Sequence, residues 1–89
     1  MQYNLKNPVT VGDKVIESVT IKEKWLAGDY IDVQDAGSGN GTIGCRQVSL
    51  AIDWPDPQVR LLSVVDYQEI LKISNDFFTR SLTPEKPNT

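Results

Sequence analysis

The apolar residues of this chain change their spacing once, near residue 23, and that change limits the fold more than any other feature. Before it, β-branched residues recur with polar ones between them: Val9, Val11, Val15, Val19 and Ile21, with Val19 and Ile21 opposite Ser18, Thr20 and Lys22. Gly12-Asp13-Lys14 interrupts the run and reads as a tight turn. The pattern predicts a hairpin over residues 2–11 and 15–23. Pro8 lacks an N–H, which suits a strand start or an edge. Later apolar runs have helical spacing or are too short to judge. The expected class is therefore α+β, an N-terminal antiparallel β-hairpin packed with about three α-helices.

Leu26, Tyr30 and Val33 are spaced i, i+4, i+7 and share one helical face, which leaves Asp29, Asp32 and Asp35 to solvent. Gly37-Ser38-Gly39-Asn40-Gly41 must be a loop. Thr42 is placed to cap a second helix running to about Asp53, ended by Pro55 and Pro57. That helix has two apolar stripes, Cys45-Val48-Ile52 and Ile43-Leu50-Trp54. A helix apolar on two sides is deeply buried or shared with a partner. The last helix is the clearest. Ser63-Val64-Val65-Asp66 fits a capping-box-like start, with Asp66 and Glu69 as a second start. Tyr67, Ile70, Leu71, Ser74, Phe77 and Phe78 follow as an amphipathic stripe, with Lys72, Asn75, Asp76 and Thr79 opposite. Residues 83–89 hold two prolines and no large apolar residue, so a disordered tail is expected after one domain over residues 1–82.

Composition narrows the chemistry. With 89 residues the chain fits one domain with a modest core. It has no His, the commonest general base and transition-metal ligand. Cys45 is the only cysteine, too few for an internal disulfide or a Cys-rich zinc site, and reads as a small buried apolar group. Nine Lys and Arg stand against twelve Asp and Glu. The excess sits in residues 29–66, with six acids and two bases, and repels a phosphate backbone. No nucleic acid partner is expected. No apolar run approaches the roughly 18 residues of a membrane span, and Met1 to Thr10 carries no signal-peptide stretch. The reading is cytoplasmic, and Asn40-Gly41-Thr42 is then a chance match to the glycosylation pattern.

The glycine run imitates two cofactor loops. Asp35-Ala36-Gly37-Ser38-Gly39-Asn40-Gly41 matches the acid-x-G-x-G-x-G pattern of enzymes that use S-adenosylmethionine, and Gly39 to Gly44 matches G-x-G-x-x-G. Both need a buried parallel strand before the loop. Tyr30 to Asp35 would have to be that strand, yet Asp32, Gln34 and Asp35 lie within it, and such strands are nearly all apolar. A Walker A loop fails because Cys45-Arg46 stands where Lys-Ser/Thr is required. Asp53 and Asp56 around Trp54-Pro55 read as turn chemistry rather than a catalytic pair. No catalytic, cofactor-binding or metal residue is expected.

The apolar supply points instead to a partner. Two helices with wide apolar stripes face a hairpin with one apolar face. Leu50, Trp54, Tyr67, Phe77 and Phe78 are therefore expected to be shared between the core and another protein, with a homo-oligomer as an alternative cover. Trp25 and Trp54 read first as core or satellite-core residues, but each stands at an element boundary, where Trp often serves interfaces.

Asn7-Pro8-Val9-Thr10-Val11-Gly12-Asp13, Val19-Thr20-Ile21-Lys22-Glu23, Ala27-Gly28-Asp29 and Leu62-Ser63-Val64-Val65-Asp66-Tyr67 follow one another in an order that resembles the small tail assembly chaperones of Mu-like and P2-like contractile-tailed phages and prophages. The resemblance covers about residues 5 to 82. Lys24-Trp25 stands where a Pro-containing pair is commoner, and the Gly37 to Gly41 loop is richer in glycine than the family pattern. The resemblance implies a non-catalytic role: binding the helix-rich tape measure protein, whose exposed apolar stripes would otherwise aggregate, before the tail tube forms. It also implies a frameshifted longer form of the same protein as a companion. Two other classes compete. A small acidic inhibitor of a host defence protein needs carboxylates over one continuous face, and six acids in residues 29–66 are thin for that. A small cofactor-binding enzyme rests on the glycine run alone.

Overall fold

The computed structural model describes residues 1–37 and 39–82. The expected tail at 83–89 lies outside the described residues. The fold is α+β, as the spacing change predicts: strands β1 (Gln2–Val11) and β2 (Lys14–Thr20), then helices α1 (Ala27–Gln34), α2 (Asn40–Ile52), α3 (Asp56–Val59) and α4 (Val64–Leu82). The two strands form one antiparallel sheet.

The hairpin turns on two residues, Gly12 and Asp13, between the paired Val11 and Lys14. Gly12 has φ 62° and Asp13 does not share the positive φ, which fits the type II′ turn whose twist suits a hairpin. The ladder is broken once. Asn4 pairs with Ser18 and the next pair is Val9 with Ile16, so Leu5 to Pro8 oppose Glu17 alone. Pro8 thus sits neither at a strand start nor on a plain edge. It occupies a bulge, where no ladder hydrogen bond is asked of it.

Strand β2 ends at Thr20, three residues before the spacing predicts, with Ile21 still bonded to Met1. The chain is instead taken over by α2: the Lys22 N–H donates to the Ala51 carbonyl at 2.8 Å, and Ile21 is fully buried beneath. The α1 stripe is only partly correct. Val33 is buried, but Leu26 and Tyr30 are 62% and 44% exposed. Asp32 and Asp35 are exposed as expected, whereas Asp29 is engaged. Its carboxylate accepts the Leu26 N–H at 2.9 Å and the Lys22 ammonium at 2.8 Å, tying the first turn of α1 to the hairpin exit.

Helix α2 starts one turn earlier than a Thr42 cap implies. Gly39 is its N-cap and Thr42 lies inside its first turn. Its end is set by Asp53 in the left-handed region, φ 58°, before either proline. The Asp53 and Trp54 N–H groups both donate to the Ser49 carbonyl, a Schellman-type closure. Pro55 then caps α3, a single turn that the sequence reading leaves as loop. Along α4, Ile70 and Ser74 are fully buried and Lys72, Asn75, Asp76 and Thr79 are exposed, as the stripe predicts. The core closes where Ile21, Val48 and Ile70 meet, one residue each from the hairpin exit, α2 and α4. Burial of each stabilises by roughly 1.5–3 kcal/mol.

Candidate partner surface

A carboxylate organises the frame that carries the surface. Asp66 is fully buried in the first turn of α4. A capping-box residue would reach back to the N-cap N–H, but Asp66 reaches across to β1. It accepts the N–H groups of Lys6 and Asn7, each at 2.9 Å, and the Tyr3 hydroxyl at 2.8 Å. Ser63 completes the set: its hydroxyl donates to Asp66 at 3.1 Å and accepts the Asp66 N–H at 3.2 Å. The Lys6 and Asn7 donors are free for this because they lie in the bulge. Burial alone would raise the Asp66 carboxyl, but the four donors outweigh it and hold it below the usual carboxylate range. The same pairing, after burial, pushes the Tyr3 hydroxyl up to about 12.

Helices α2 and α4 approach closely at Gly44. A Cβ there would lie 2.5 Å from the Tyr67 hydroxyl oxygen. This glycine, part of the run that imitates a dinucleotide loop, is required by packing. The element before that run is α1, a helix, where a dinucleotide loop needs a strand.

The five expected partner residues fall in three places, and all five are half-buried against the core. Leu50 and Trp54 line a groove of about 590 Å³ between β2 and the end of α2, with Val19 and Lys22 on its other wall. Tyr67 lines a second groove of about 540 Å³ with Cys45, Val59, Leu62, Val64 and Arg60. Cys45 is thus a groove wall rather than a fully buried residue, and burial followed by the Asp56 charge raises its thiol above the ordinary value. Phe77 and Phe78 lie near the end of α4. The Arg80 guanidinium stands 5.4 Å over the Phe77 ring. Phe78 meets Trp25 edge-on at 5.8 Å and stacks flat on Tyr30 at 5.5 Å.

The exposed large apolar groups are others: Met1 and Val15 on the hairpin, and two clustered sets. One set is at α1: the N-cap Leu26, Tyr30, which stacks on Phe78, and Ile31, 55% exposed. The second is at the α3–α4 corner: Leu61, Val64 and Val65 at 56%, 75% and 50%. The Leu26–Tyr30 spacing was visible in sequence but implied a buried face. Val64 and Val65 were visible only as spacers between Ser63 and Asp66.

Among the described residues, no group of three or more His, Cys, Asp or Glu side chains is placed to hold a metal ion, and no helix is long and apolar enough to cross a membrane. Comparison with protein-family models, with curated proteins and with solved structures finds no match to the chain.

Proposed function

We propose that the chain is a non-catalytic phage tail assembly chaperone that binds the tape measure protein and keeps it soluble during tail morphogenesis. The observation that carries the reading is the α1 face. Tyr30 lies flat on Phe78 while remaining 44% exposed, and Leu26 and Ile31 flank it at 62% and 55%. Leu26 and Tyr30 are four residues apart and lie on one helical side, with the Tyr30 N–H donating to the Leu26 carbonyl at 3.2 Å. Such a face, an aromatic floor with aliphatic edges, suits the apolar stripe of a client helix laid across it. Of the expected residues, Phe78 supports this face from below, and α1 supplies the contact.

Within Leu62 to Tyr67, one of the segments that carry the resemblance, Asp66 is the carboxylate that joins hairpin to helix.

The test is co-expression with a tape measure protein of a contractile-tailed phage, followed by affinity capture. The chain should retain that protein in the soluble fraction, and Ile31→Asp should release it while the circular dichroism spectrum is unchanged. Capture that Ile31→Asp and Leu26→Ser both leave intact refutes the α1 face. No capture by the wild-type chain refutes the function. Calorimetric titration with S-adenosylmethionine, NAD and ATP is expected to give no heat above dilution, and micromolar binding of any of them would favour the enzyme reading.

A further inference from the structure

The α3–α4 corner has features that the α1 face lacks. Leu61 projects into solvent between Arg60 and Leu62, which both line the 540 Å³ groove, and Val65 follows the groove residue Val64. An apolar projection therefore stands directly beside an apolar recess. The charges there are similarly arranged. Asp56 and Arg60 stand at the two ends of the one-turn α3, the Arg60 N–H donating to the Asp56 carbonyl. Arg60 lines the recess itself, and Asp56 lies one helical turn before it. Among the described residues neither joins an ion pair within the chain.

A two-fold interface demands a surface complementary to itself: where one residue contacts another, the reverse contact must also occur. A projection beside a recess meets that demand in shape, and an anion one turn from a cation meets it in charge. A client helix would need only the recess and one sign of charge.

We propose that this corner is a homodimer interface, in which Leu61 of each copy enters the groove of the other and Arg60 of each pairs with Asp56 of the other. The interface lies apart from the α1 face and does not depend on what that face binds.

Sedimentation equilibrium of the full chain over a concentration series tests this. The wild-type chain should pass from monomer to dimer. Arg60→Asp and Asp56→Arg should each weaken dimerisation about tenfold or more, equivalent to about 1.4 kcal/mol. The double exchange, Asp56→Arg with Arg60→Asp, should restore it. Leu61→Asp, which touches neither charge, should abolish it with the circular dichroism spectrum retained. In the wild-type protein, amide resonances of Leu61, Val64 and Val65 should move on dilution. A chain that stays monomeric at every concentration overturns the proposal. So do amide shifts confined to another face, or single exchanges that weaken the dimer while the double exchange fails to recover it.

Discussion

The Tyr3 hydroxyl donates to Asp66 Oδ1 at 2.8 Å, joining residues 63 positions apart in sequence. With the bulge amides of Lys6 and Asn7 on the same carboxylate, this contact fixes the hairpin at one angle to α4. A two-stranded ribbon is marginal by itself. Its stability here comes from the helices it covers and from this one side chain.

Asp66→Ala takes the shared acceptor from two backbone N–H groups and two hydroxyls. A buried donor left unpaired costs about 1–3 kcal/mol, and the four are part-buried and not additive. The expected loss is about 3 kcal/mol in urea unfolding. Loss below about 0.5 kcal/mol would mean that the carboxylate does not hold the hairpin.

The same carboxylate sets an acid limit. Its folded-state pKa lies below the unfolded value, so its contribution is complete above the ordinary carboxylate range and is lost as pH falls through the folded value. Asp29, lowered by its Lys22 and Leu26 hydrogen bonds against its own burial, adds to the same slope. Urea midpoints should be level from neutrality to about pH 5 and fall below about pH 4. Asp66→Asn should flatten that fall. At the alkaline end the sign reverses: Tyr3 is raised to about 12, so stability drops as pH rises from about 10, and Tyr3→Phe removes that drop.

Two glycines of α2 should respond oppositely to the same change. A Cβ at Gly41 meets nothing within 4 Å, so Gly41→Ala should stabilise by up to about 1 kcal/mol through helix propensity. At Gly44 the Cβ meets the Tyr67 hydroxyl, and overpacking of about 1–3 kcal/mol should exceed that gain. Adding Tyr67→Phe removes the colliding oxygen and should recover most of the loss. Thermal melts of the three variants against the wild type decide it, and equal effects at Gly41 and Gly44 would contradict the close approach.

Leu26 separates binding from stability. It is the N-cap of α1 and makes no side-chain cap bond. Leu26→Ser supplies a cap oxygen and should hold or raise stability by up to about 1 kcal/mol. It should also weaken capture of the tape measure protein, since the apolar edge of the α1 face is gone. Phe78→Asp should weaken capture only by damaging the fold. A variant that binds less while melting no lower is the expected signature.

Much of the fold was legible because spacing reports which residues share a face. The strand-to-helix change near residue 23 and the Ile70–Ser74 stripe of α4 both follow from it. Spacing does not report whether anything covers that face. Leu26 and Tyr30 were placed correctly beside each other, but Leu26 is 62% exposed and Tyr30, though stacked on Phe78, is 44% exposed. Asp66 was legible only through its neighbours Ser63 and Glu69, because local signals cannot show partners at positions 3, 6 and 7. The bulge that frees those partners has Pro8 as its only signature. The α3 turn was hidden because Pro55 and Pro57 mark a break equally well whether a helix ends or a new one begins.

The separation between the bulge and Asp66 also has a consequence in time. During synthesis the hairpin leaves the ribosome first, with the amides of Lys6 and Asn7 unclaimed. At about 5–20 residues per second, several seconds pass before residue 66 and its helix are made. Through that interval the ribbon can pair with any strand edge it meets. The hairpin is exposed to misassembly once it is made, and the one side chain that ends the exposure is supplied 60 residues after Lys6.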